Sequence, residues 1–77
     1  MQQNYILTIR DLFLMNKDDQ HGAETQVAIL DNGVEVDRVH FRGKCDQYQR
    51  LYTGKPGLSA TIASGPGTIT MASALFV

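Results

Sequence analysis

The sequence predicts a small α+β fold, an antiparallel sheet of four to five strands built from two hairpins, with one short helix packed on it. Three observations carry that expectation. Asp31-Asn32-Gly33-Val34 sits between two apolar alternations, and Asn-Gly there favours a two-residue type I′ turn, whose central residues both need φ > 0. Tyr48, Leu51 and Tyr52 fall at i, i+3 and i+4, one face of a helix over residues 44–53, followed by Gly54 as a helix-ending residue and by Pro56. Leu58, Ala60 and Ile62 alternate with small polar residues, Gly65-Pro66-Gly67 interrupts, and Thr68 to Met71 alternate again, which reads as a second hairpin.

The remaining elements follow in chain order. Tyr5, Leu7 and Ile9 lie on one side of an alternating stretch with Thr8 and Arg10 on the other, as in a half-buried strand. The apolar run Leu12 to Met15 blurs that period and leaves a short helix as its alternative. Residues 16–22 are polar and end in glycine, the composition of an exposed loop. In the first hairpin, strict pairing from the Asn-Gly turn sets Val27 against Arg38. One extra residue near Asp37-Arg38 instead sets Val27 opposite Val39 and Thr25 opposite Phe41, so a β-bulge is expected there. Asp46 early and Arg50 late in the expected helix complement its dipole. The expected buried set is Leu7, Ile9, Val27, Ile29, Val36, Val39, Phe41, Leu51, Ile62, Ile69 and Met71.

Seventy-seven residues fit one small domain, residues 1–77, with a thin core and little room for an enclosed pocket. The composition is 43% hydrophobic and 19% charged, that of a folding chain. A net charge of −1 argues against a chain that mainly coats nucleic acid, and equally against an acidic nucleic-acid mimic. Cys45 is the single cysteine, so no internal disulfide forms, and a reducing, cytoplasmic compartment is expected. No signal peptide is read at the N-terminus, and the longest apolar run is far too short to cross a bilayer.

Catalytic and metal motifs fail on spacing. Gly43-Lys44 and Gly54-Lys55 lack the earlier glycine and the following Ser or Thr of a phosphate loop. His21, His40 and Cys45 have no zinc spacing, His40 reads as a solvated strand residue, and Cys45 as a partly buried small one. The expectation is a non-enzyme without cofactor or metal. Surface chemistry suited to binding remains. Five of the seven basic residues, Arg38, Arg42, Lys44, Arg50 and Lys55, fall within residues 38–55, with Tyr48 and Tyr52 among them. Tyr and Arg are enriched at interface hot spots, so Tyr48, Tyr52, Arg42 and Arg50 are the expected partner-binding residues. The same tyrosines would equally serve to dock the helix on the sheet.

Asn32-Gly33, Val36, Phe41, Gln47 and Gly54-Lys55-Pro56-Gly57 follow one another in the expected order strand, turn, strand, helix, Gly-x-Pro-Gly. Over residues 32–57, a third of the chain, this resembles a small phage anti-CRISPR protein of the type I-F inhibitor class. The resemblance implies a non-catalytic inhibitor in the host cytoplasm that binds a CRISPR–Cas surveillance complex, its partner being Cas proteins, and blocks target DNA recognition by occlusion. The alternatives are a small nucleic-acid-binding β domain that uses the basic middle segment, and a self-assembling accessory subunit, a homodimer included, whose apolar edges pair with copies of itself.

Overall fold

A computed structural model describes residues 2–16 and 19–74. Eight strands form: β1 (Gln3–Leu12), β2 (Leu14–Asn16), β3 (Asp19–His21), β4 (Ala23–Asp31), β5 (Val34–Gly43), β6 (Cys45–Gly54), β7 (Leu58–Ser64) and β8 (Thr68–Ala74). They assemble into two three-stranded antiparallel sheets, β6-β1-β8 and β5-β4-β7, and a two-stranded ribbon, β2-β3. The two large sheets share one core, in which Leu7, Ile9 and Leu12 of β1 meet Ala23, Val27 and Ile29 of β4 and Val39 and Phe41 of β5. The architecture is a thin two-layer sandwich of 47 × 30 × 13 Å, not the α+β fold expected.

The expected helix is strand β6. Its ten residues pair with β1 from Gln3–Gly54 to Leu12–Cys45. Tyr48, Leu51 and Tyr52 fit a helical face, but Tyr48, Arg50 and Tyr52 fit the period of a strand equally well. The charged Arg50 hid that second period. A helix this short is marginal without packing, whereas pairing with β1 along the whole length satisfies the backbone groups of β6 that face it.

The second expected hairpin is also corrected. β7 and β8 do not pair with each other; β7 adds to β4 and β8 adds to β1. Gly65-Pro66-Gly67 is therefore a corner that carries the chain from one sheet to the other. The buried Thr25 hydroxyl, at 0% exposure, anchors this corner by donating to the Pro66 carbonyl at 2.6 Å. Asn16 and Asp19–His21 of the stretch expected as a loop, with Leu14 and Met15 of the apolar run before it, form the β2-β3 ribbon, and the alternative helix over Leu12 to Met15 is absent. The residues joining the two strands of the ribbon lie outside the described residues, as do the terminal Leu75-Phe76-Val77.

The first hairpin forms as the sequence predicts, with Asn32 at φ 51° and Gly33 at φ 84°. Val27 faces Val39 and Thr25 faces Phe41. The bulge falls slightly before Asp37, because Ile29 pairs with Asp37 and Leu30 with Glu35, leaving Val36 as the extra residue. That placement turns Val36 outward, at 54% exposure, where burial was expected. Leu51 is the other exception, at 57% exposure on the outer face of its sheet, while Ile62, Ile69 and Met71 are only half-buried. Tyr5, on the same alternating side as Leu7 and Ile9, and Leu12 are also buried, although the expected buried set left them out.

Candidate functional site

β5 and β6 are the outer strands of the two sheets on one side of the sandwich, and the chain passes from one to the other through Gly43 and Lys44. In an antiparallel sheet, directly paired residues share a face. Tyr52, Arg50 and Tyr48 pair with Tyr5, Leu7 and Ile9, so they project to the core side. Asp37 and Val39 share a face with Ile29 and Val27, and Phe41 with Thr25. The two edge strands consequently confront each other across the open side of the sandwich.

Three contacts close that seam. The Tyr52 hydroxyl donates to the Asp37 carboxylate at 2.8 Å. Arg50 donates through Nη1 to the His40 carbonyl at 3.3 Å. Phe41 and Tyr48 meet edge to face, with ring centroids 6.0 Å apart, a favoured aromatic geometry. Partial burial, reinforced by the facing Asp37 carboxylate, pushes the Tyr52 phenol up to about 12. The Tyr52 hydroxyl, followed by the Arg38 backbone N–H, holds the Asp37 carboxyl below its usual range.

The signs of these shifts define an alkaline and an acidic limit. The Tyr52 contribution is complete below pH 10 and is lost as pH rises through about 12, where phenolate and carboxylate would face each other. The Asp37 contribution is present above pH 3.8 and fades as pH falls through its lowered value. In an ultraviolet titration of the three tyrosines, one is therefore expected to ionise near 12. Tyr52→Phe removes that step, and Asp37→Asn moves it down towards 10. A late step that survives Tyr52→Phe would reassign it.

Beyond the Tyr52–Asp37 bond, at the crossover end, the seam opens around the Phe41–Tyr48 and Arg50–His40 contacts into a groove of about 460 Å³. Leu12, Phe41 and Cys45 line it together with Arg42, Lys44, Tyr48 and Arg50. Tyr48 is half-exposed there, at 51%. No carboxylate lines this groove. Among the described residues the ion pairs are Arg38–Glu35, His40–Glu24 and Lys55–Asp31, so Arg42, Lys44 and Arg50 have no acidic partner within 4 Å. The groove thus presents three positive charges around one open aromatic face.

Of the four expected binding residues, Tyr48, Arg42 and Arg50 meet in this groove, and Tyr52 does not line it. Tyr52 is bound to Asp37 farther along the seam. Lys44 is the member that the sequence reading did not single out, although it lay inside the basic cluster. Cys45 is half-buried, and His40 is exposed on the outer face, as expected. No cluster of His, Cys, Asp and Glu suited to a metal ion occurs among the described residues. None of them forms a helix long and apolar enough to cross a membrane. Comparisons of the chain with protein-family models, with curated proteins and with solved structures find no match.

Proposed function

We propose that this protein is a non-catalytic binding module that takes an anionic strand, single-stranded nucleic acid, in the β5–β6 groove. The observation that carries this reading is the meeting of Arg42, Lys44 and Arg50 with the half-exposed Tyr48 in a groove free of carboxylates. Single-strand binding combines a positive groove that tracks phosphates with aromatic faces on which bases stack. The low net charge is compatible with such a site, because the acidic residues are concentrated in the first 37 positions and the basic ones from Arg38 onward. Local field, not the sum over the chain, attracts the ligand.

Three cations give the reading a quantitative form. Each phosphate contact on a single strand contributes about −0.7 to the slope of log K against log salt. Fluorescence anisotropy with short labelled oligo-dT and oligo-rU across a salt series is expected to give a slope of about −2. Tyr48→Ala is expected to weaken binding by roughly tenfold to a hundredfold through lost stacking. Arg42→Glu with Lys44→Glu abolishes it, and Arg38→Ala, on a residue paired with Glu35 outside the groove, leaves it unchanged. Absence of binding at low salt, or binding indifferent to the groove variants, overturns the proposal. Binding to a purified CRISPR–Cas complex that survives nuclease and is lost in the groove variants would instead establish the occluding-inhibitor reading for the same residues.

A further inference from the structure

The sandwich has two open sides, and they are built differently. On the β5–β6 side, charged residues stud both edge strands, with Glu35, Asp37, Arg38 and Arg42 on β5 and Asp46 and Arg50 on β6. Side-chain contacts cross-link that side. On the opposite side, β7 and β8 carry no charged residue and no proline. The sequence contains no Asp, Glu, Lys or Arg anywhere from Pro56 to Val77. Natural edge strands are normally blunted by charges, proline or bulges, because their unpaired N–H and C=O groups invite another strand.

Burial follows the same division. The core-facing residues of the central strands are closed to solvent, with Leu7, Ile9, Val27 and Ile29 at 0%. Those of the uncharged edges, Ile62, Ile69 and Met71, are only half-buried. Of the two uncharged edges, β8 is the regular one. It pairs with β1 through seven consecutive residue pairs, from Asn4–Ala74 to Arg10–Thr68, without a shift. The β7 ladder is interrupted between Gln26 and Val27, and irregularity of this kind protects an edge.

We infer that β8 is a dimerisation edge, pairing antiparallel with β8 of a second copy of this chain to make one continuous sheet from the two β6-β1-β8 sheets. Twofold symmetry itself favours this occupant. In an isologous pair the strand meets its own sequence, so a charge near the axis lies close to its own twin. Like charges directly opposite are destabilising. β8 brings no such pair together, and an axis at Thr70 sets Ile69 beside the partner copy's Met71, extending the apolar layer that the monomer leaves half-covered. On β5 an axis at Asp37 or Arg38 would set that charge directly against its own equivalent. This inference is independent of the groove, which lies on the other side of the sandwich.

Sedimentation equilibrium over a concentration series tests it, combined with hydrogen exchange at low and high concentration. The mass is expected to rise from monomer to dimer, and the β8 amides to gain protection in the dimer. Thr70 is exposed and points away from the core, so Thr70→Lys tests the edge, with circular dichroism checking that the fold is kept. It is expected to weaken dimerisation at least tenfold, whereas Gln49→Lys on the outer strand β6 leaves it unchanged. A monomer at every concentration overturns the inference. So does a dimer whose β8 amides exchange as fast as in the monomer, or one weakened equally by Gln49→Lys. The β8 exchange readout stands even if Thr70→Lys fails to fold.

Discussion

Gly65→Ala is expected to remove about 2–4 kcal/mol of stability, through strain at a disfavoured backbone angle plus overpacking. Gly65 lies at φ 96°, and a Cβ there would come within 2.5 Å of the Glu24 carbonyl oxygen and 2.8 Å of the Thr25 Cα. Both are backbone atoms of β4, the central strand of its sheet, so neither yields as a flexible side chain would. The corner must move instead, and the hydrogen bond from Thr25 to the Pro66 carbonyl moves with it. An orphaned buried hydroxyl adds its own penalty. A domain of this length holds roughly 4–12 kcal/mol in total, so the loss is a large share. Gly33→Ala is the control, because Gly33 also has positive φ, at 84°, with nothing within 4 Å of the added Cβ. It should cost only about 1–2 kcal/mol. Urea unfolding of the two variants separates local strain from the close approach of two strands, and equal losses would show that the corner gives way freely.

The sequence signals for this corner and for the hairpin turn are alike, since both are glycine-rich breaks between alternating strands. Asn32-Gly33 was legible because its geometry is local, set by two residues and the strands beside them. Ser64-Gly65-Pro66-Gly67 was not, because whether the next strand folds back on the last one or crosses to the other sheet depends on which partner strand awaits it. That choice is made by β1 and β4, each more than thirty residues away along the chain. The same non-local pairing decided β6. Tyr48, Leu51 and Tyr52 satisfy a helical face, and only the ladder with β1 selects the period of two. The bulge was legible because Val27, Val39, Thr25 and Phe41 fit together only with one residue to spare, although its position at Val36 was not.

The candidate site was legible in its residue types and not in its shape. Arg42, Tyr48 and Arg50 stood out by chemistry, but on the expected helix over residues 44–53 Tyr48 and Tyr52 would have shared a face with Leu51, Arg50 would have lain among the polar positions, and Arg42 would have preceded the helix. In the strand Tyr48, Arg50 and Tyr52 share one face, and the passage from β5 to β6 brings Arg42 and Lys44 round to meet Tyr48 and Arg50. Tyr52 shares a face with Tyr48 yet is drawn to Asp37, a pairing that exists because the bulge turns Asp37 to the same face as Ile29. One extra residue in β5 thus both closes the middle of the seam and places Val36 in solvent.

Leu7→Ala and Ile29→Ala are each expected to cost about 2–5 kcal/mol, the usual price of emptying a buried aliphatic site that cannot collapse. Leu7 is central to β1 and Ile29 lies on β4, and both are fully buried in the cluster that joins the two sheets. Leu51→Ala, from a residue 57% exposed on the outer face, is expected to stay within about 0.5 kcal/mol, as surface substitutions do. The contrast tests the strand assignment of β6 directly, because Leu51 on a docked helix would have been a core residue and would have cost as much as Leu7. The pair Leu7 and Ile29 tests something else. Neither three-stranded sheet encloses a core by itself, so both layers should unfold together. Each variant is then expected to shift a single unfolding transition seen alike by tyrosine fluorescence and by circular dichroism. Two separated transitions in Leu7→Ala would mean that the sheet of β4, β5 and β7 persists without its partner layer.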